Sequence, residues 1–334
     1  MAHAHDRSAT ATLPSQHTTS DGDGTANVLV TAARAHERDL YLSALLSPRD
    51  VRDDLITLAA FVGDVSRIPV YVSDPMIGEI RLQWWRDTLE AGLATGASSG
   101  NPVADATVTA ARAHDLPQDR LMRIIDAQAL ALYNAPPRDE MELRQHVADI
   151  YGSAFSLAAQ RIDRDGTRDW ATWVRDAGIA YGIARLALEY PAIRAQGRLL
   201  APATWGATAT SARGDTSKAA TPLEAPPRQT PDAFVANDTE TDADDDAPAK
   251  IPQPPDDVAD AKRLAATATD MFSTLTGARI KPPRTVRLAC RPLAMVPPYA
   301  GRVSNRGAID PSELTVADDV SPLRRVWTLW RARL

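Results

Sequence analysis

The sequence predicts an all-α protein, an antiparallel helix bundle. Apolar residues recur at three- and four-residue steps along most of the chain. Ser-Pro and Asp-Pro dipeptides, which open helices, stand in front of several of these stripes. No convincing alternating strand pattern competes with them.

The elements follow in order. Ser47-Pro48-Arg49-Asp50 reads as a helix start, with Ser47 as N-cap, proline at the first helical position and an acid at the third. Behind it Leu55, Leu58, Ala59, Val62 and Val65 form one apolar stripe. Asp74-Pro75 opens a second helix through Met76, Ile80, Trp84 and Leu89. A third is predicted over about 118–132, through Leu121, Ile124, Ile125 and Leu132, and a fourth over about 140–161. A fifth spans about 168–189, with Trp173, Ala177, Ala180, Tyr181 and Ala184, and is expected to stop before Pro191. Helical patterning returns over 256–275 and 284–293, and Ser321-Pro322 opens a last helix holding Trp327 and Trp330.

Two segments lack such patterning. Residues 1–25 carry no apolar signal core and read as a disordered tail. Residues 207–256 are rich in Pro, Ala, Thr and Asp and read as a disordered insertion. The rest, 26–334, is expected to be one domain around that insertion. An interdomain linker is the alternative.

Composition narrows the function. Apolar residues at 44% and charged residues at 24% are near the globular average, so a sizeable core is available. The net charge of −6 is matched by the acids of 238–246, a stretch without Lys or Arg. No basic nucleic-acid face is implied. The single cysteine, Cys290, excludes an internal disulfide framework and fits a reducing compartment, so a cytoplasmic location is expected, at most peripheral to a membrane. No apolar run is long enough to span a membrane. The histidines lack the spacing of a helical zinc site.

Two stretches are more specific than generic helix. The first holds Arg38-Asp39-Leu40-Tyr41-Leu42, Leu46-Ser47-Pro48, Arg52, Ala60-Phe61 and the run from Pro75-Met76-Ile77-Gly78-Glu79 through Arg81 to Trp84-Trp85-Arg86. The second holds Ala177-Gly178-Ile179-Ala180 and Gly197-Arg198-Leu199-Leu200-Ala201-Pro202. Together they resemble the squalene/phytoene synthase family, from about residue 34 to the end of the chain.

The resemblance implies an isoprenoid-synthase fold with a central apolar cavity. It also implies an activity, the head-to-head joining of two prenyl diphosphates. In such enzymes two Asp-x-x-x-Asp segments put carboxylates on facing helix surfaces. These hold Mg²⁺, which neutralises the departing diphosphate.

This sequence departs from the motif. Counted from Ala60-Phe61, the first three acids fall on Ser66, Arg67 and Val70. In the second segment the acids fall on Glu189 and Ile193, and two polar positions one turn apart become Gly182 and Arg185. A two-sided Mg²⁺ site is therefore not expected, and no other cofactor is. The run Val62-Gly63-Asp64-Val65-Ser66-Arg67-Ile68 is similar to a divergent branch that includes a mitochondrial assembly factor for respiratory complex I. That likeness implies a pseudoenzyme assisting assembly of a respiratory complex, or holding an apolar segment or prenyl lipid in the cavity. A Mg²⁺-dependent prenyl transferase and a metal-independent prenyl-lipid binder are the alternatives.

The candidate cavity or ligand residues are Arg38, Arg52, Asp64, Glu79, Arg81, Trp84, Trp85, Arg185, Glu189 and Arg198. Trp84 and Trp85 lie about 100° apart on a helix, so core packing is expected and groove lining is the alternative for one of them. Glu79 and Arg81 form a buried pair, a solvated face or part of a site. Asp64 is expected to pair with Arg52 or Arg81. Arg185 and Glu189 have the spacing of a helical ion pair. Asp50 with Asp54, Asp165 with Asp169, and Asp256 with Asp260 are expected to cap helices.

Overall fold

The computed structural model describes residues 20–205, 257–305 and 320–332. Among these residues every regular element is helical. The tail 1–25 and the insertion 207–256 lie mostly outside them, but helix α1 (Ser20–His36) already begins inside the expected tail. Then come α2 (Arg38–Leu45), α3 (Arg49–Ser66), the single turn α4 (Ile68–Tyr71), α5 (Pro75–Thr95) and α6 (Pro102–His114). Helices α7 (Gln118–Asp126) and α8 (Gln128–Leu132) split the expected third helix at Ala127.

The expected fourth helix is one rod with a fault in it. Helix α9 (Glu140–Val147) passes through a π-helical turn, Ala148–Gly152, into α10 (Ser153–Ile162). Such turns insert a residue into the helical register and re-aim the side chains they carry. After α11 (Arg164–Arg168) comes the central helix α12 (Ala171–Ala195). Pro191 lies inside α12 and does not end it. Proline removes one i→i−4 bond. Tyr190, 1% exposed and with its hydroxyl 3.4 Å from Asp260 Oδ2, holds that last turn against the core. The chain resumes with α13 (Asp257–Gly277), α14 (Arg284–Ala289), a 3₁₀ turn (Arg291–Met295), α15 (Val296–Ser304) and α16 (Pro322–Arg331).

One apolar core joins the described helices, and α12 lies at its centre against α13, α10, α15 and the π turn. Phe61, Phe155, Tyr181 and Tyr190 are fully buried there. Gly178 and Gly182 make the close contact of α12 with the π turn possible. A Cβ on Gly178 would lie 2.4 Å from the Tyr151 carbonyl oxygen, and one on Gly182 would lie 2.5 Å from the Tyr151 ring.

Some caps follow the sequence and others do not. Asp74 accepts from the Met76 amide at 2.8 Å, and Ser321 accepts from the Arg324 amide at 3.4 Å. Ser47 is not the cap of α3: Pro48 precedes the first helical residue, and the Ser47 hydroxyl donates back to the Ser43 carbonyl at 2.8 Å. Asp54 does not cap either. It accepts from Arg161 Nε at 2.6 Å and lies 3.1 Å from His114 Nε2, tying α3 to α10 and α6. Neither Asp165 nor Asp169 caps α12, which follows Trp170 without a side-chain cap; Asp165 lies in the first turn of α11, whose cap is Asp163, accepting from the Gly166 amide at 2.8 Å. Asp260 meets Tyr190, and Asp256 lies outside the described residues.

Candidate functional site

A cavity of about 430 Å³ opens between α1, α3, α4, the π turn and α12. That volume lies within the usual range of small-ligand sites. The two degraded motif segments face each other across it: Ser66, Arg67 and Val70 on one side, Gly182, Arg185, Glu189 and Ile193 on the other. Arg198 also reaches the wall, with His36, Glu37, Gln128, His146 and Tyr151.

The polar wall is a network anchored on Arg185. Its Nε donates to Glu189 Oε1 at 2.9 Å, its Nη2 donates to the His36 carbonyl at 3.1 Å, and its Nη1 donates to Glu37 Oε2. Glu37 is 1% exposed and also accepts from the Tyr151 hydroxyl at 3.2 Å. Burial pushes the Glu37 carboxyl up to about 7, against the pull of Arg185. The Tyr151 hydroxyl is pushed well above its ordinary range, chiefly by burial.

Arg67, at a position where the motif calls for an acid, packs its Nη1 against His36 Nε2 and lies 4.3 Å over the Tyr71 ring. Burial lowers the His36 pKa, and Arg67 and Arg185 lower it further. His146 falls from 6.5 to about 4, through burial and then the neighbouring Arg198. It is therefore neutral at physiological pH. Ser66 Oγ and Arg67 Nε are buried without hydrogen-bond partners among the described residues.

These residues do not fit the Mg²⁺ site of the motif. Of its acid positions only Glu189 keeps a carboxylate, and Arg185 holds it. Where Gly182 leaves room, the Tyr151 ring fills it. Among the described residues no group of three or more His, Cys, Asp or Glu is gathered closely enough to hold a metal ion.

The other candidates lie elsewhere. Trp85 is core, 5% exposed and 5.5 Å edge-on from Phe61, while Trp84 is 40% exposed and lies neither in the core nor on the cavity wall. Adjacent positions on a helix cannot both turn inward. Asp64 does not pair with Arg52 or Arg81. It lies 3.9 Å from Nη1 of Arg67, the residue just past the end of α3, and burial raises its pKa. Arg52 donates to the Ser47 carbonyl at 3.1 Å, which holds the turn before α3. Arg38 and Arg81 are exposed and Glu79 is half-buried, and none lines the cavity.

Two important acids were missed from sequence, Glu37 and Asp39. Asp39 is buried, accepts from the hydroxyls of Tyr181 (3.0 Å) and Tyr299, and lies 3.3 Å from Arg325 Nε. The only sequence signal was their place at the head of the Arg38-Asp39-Leu40 run.

The profile described as squalene/phytoene synthase matches residues 33–236. The chain belongs to the squalene/phytoene synthase family. Its fold is that of solved family structures. A dehydrosqualene synthase in complex with ligand superposes with a TM-score of 0.62 at 12% identity, covering 92% of this chain and 94% of that one. Squalene synthase HpnC from Alicyclobacillus acidocaldarius gives 0.57 at 16% identity, covering 84% and 93%.

The sequence is similar to proteins of another name within the family. NADH dehydrogenase (ubiquinone) complex I, assembly factor 6, of Bos taurus is 28% identical over 137 residues, and that of Homo sapiens 27% over 137. The match spans 41% of this chain and 41% of the length of each of these relatives.

Proposed function

We propose that this is a non-catalytic squalene/phytoene synthase family protein that assists assembly of a respiratory complex. One observation carries the reading. At the positions where the family's enzymes hold metal-binding acids, the cavity presents Ser66, Arg67, Val70 and Ile193, and Arg185 neutralises the remaining Glu189. An Arg185 network held by Glu37 is a structural brace. It offers a diphosphate no divalent cation to leave with.

The names of the relatives support the assembly role. The cavity rim supports the kind of partner. Val70 and Tyr71 at the rim are exposed, and α4 packs on α5, which presents Met76, Ile77, Ile80 and Trp84 to solvent. An apolar segment of a partner protein, or an isoprenoid-like ligand, is what such a surface holds. The partner reading is a respiratory-complex subunit or assembly factor, met from the cytoplasm, with no metal or organic cofactor required.

The alternative is a Mg²⁺-dependent prenyl transferase, the activity that the name of the matching family carries. Cells lacking the protein separate the two. The assembly reading expects less assembled NADH dehydrogenase and an unchanged prenyl-product profile. Intact NADH dehydrogenase with a missing prenyl product would overturn it.

A further inference from the structure

The last helix is held on one face and bare on the other. Arg325 and Leu329, 5% and 0% exposed, face the body of the protein. Arg325 lies 3.3 Å from Asp39, and its guanidinium is 5.8 Å from the centre of the Tyr299 ring. Val320, also buried, anchors the chain just before the helix. On the opposite face Leu323, Val326, Trp327 and Trp330 are 85%, 43%, 54% and 62% exposed. Their spacing of three, four and seven residues makes them one stripe.

The charge beside that stripe has one sign. Arg324 and Arg331 are exposed next to it, and helix 322–331 contains no acid. Arg331 lies 5.7 Å from the centre of the Trp327 ring, and the Trp327 and Trp330 ring centres are 5.4 Å apart with their planes tilted by 35°. Tryptophans with arginines along one edge are the composition of a helix that lies in a lipid headgroup layer. A second copy fits poorly. A ten-residue helix runs only about 15 Å, so one of its faces is well short of the roughly 800 Å² per partner of a stable interface. Like-charged arginines would also flank such a pairing.

We propose that α16 docks the protein onto an anionic lipid surface, with Trp327 and Trp330 entering the headgroup layer and Arg324 and Arg331 meeting its phosphates. The Arg325–Asp39 pair fixes the orientation of the helix, so the protein body meets the membrane one way round. The proposal is independent of the cavity reading, because α16 contributes nothing to the cavity wall.

The test uses full-length protein, so that any covering of this face by the rest of the chain counts against the proposal. Co-sedimentation is measured with vesicles of phosphatidylcholine alone and of phosphatidylcholine mixed equally with phosphatidylglycerol. Binding to the mixed vesicles is expected, weakened by salt, with a blue shift of tryptophan emission. The W327A/W330A variant is expected to lose binding about tenfold or more while keeping its far-ultraviolet circular dichroism. The R324Q/R331Q variant keeps both tryptophans and is expected to lose the preference for the anionic vesicles by about tenfold or more. No vesicle binding, or binding unchanged in both variants, would overturn the proposal. So would a wild-type dimer that W327A/W330A converts to monomer, because the stripe would then be a face for a second copy.

Discussion

Arg185 stands between two carboxylates, with Nε 2.9 Å from Glu189 Oε1 and Nη1 on the buried Glu37. A cation of the protein's own thus occupies the wall where the family's enzymes place metal ligands. Replacing Arg185 by Met keeps the volume and removes the charge. Glu37 is then left buried with only the Tyr151 hydroxyl. Removing one partner of a buried pair costs about 3 kcal/mol or more, and urea unfolding is expected to show a loss of that order. A loss under about 0.5 kcal/mol would mean that the network is not a brace.

Gly178 predicts a second cost. A methyl group there meets the Tyr151 backbone, which cannot rotate away. Gly178→Ala is expected to destabilise by about 1–3 kcal/mol. Gly301, exposed in α15 with nothing within 4 Å of its virtual Cβ, is the control. Gly301→Ala is expected to stabilise by roughly 0.5–1 kcal/mol through helix propensity alone. Thermal midpoints of the two variants should move in opposite directions.

The adjacent tryptophans separate burial from composition. Trp85→Ala empties the space beside Phe61 and is expected to cost about 3–5 kcal/mol. Trp84→Ala, on the exposed side, is expected to stay within about 0.5 kcal/mol. Equal losses from chemical denaturation would contradict the placement of these side chains.

His146 makes the fold acid-sensitive. Its pKa falls from 6.5 to about 4 in the folded protein. Between those values the unfolded chain takes up a proton that the folded chain refuses, so stability falls as pH drops through that window. Glu37, raised to about 7, acts in the opposite sense: stability falls as pH rises from its ordinary value toward 7. Comparing wild type with His146→Gln cancels the Glu37 contribution. The variant is expected to gain on wild type as pH falls from 6.5 toward 4 and to show no change in that difference above 7.

The bundle, the caps at Asp74 and Ser321, and the facing motif segments were legible because each depends on neighbours within a turn or on a motif with fixed spacing. The brace was not. Glu37 and Asp39 meet Arg185, Tyr181, Tyr299 and Arg325, which come from three distant helices, and no local period marks such partners. Pro191 misled because its rule concerns isolated backbone, whereas packing of Tyr190 supports the turn around it. The helix at Pro102–His114 was overlooked although Asn101 caps it through the amides of Val103 and Ala104, at 2.9 and 3.0 Å. Its apolar face is built largely of alanine and threonine, which give a weak stripe.

On the proposed function, the cavity lacks the metal chemistry of its family's enzymes. The most direct test incubates purified protein with labelled farnesyl and geranylgeranyl diphosphate, with and without Mg²⁺, and follows diphosphate release. No release above the protein-free rate is expected in either condition, whether or not the lipid binds. Mg²⁺-dependent release abolished by Glu189→Gln would contradict the account, because it would make Glu189 a metal ligand despite its pairing with Arg185.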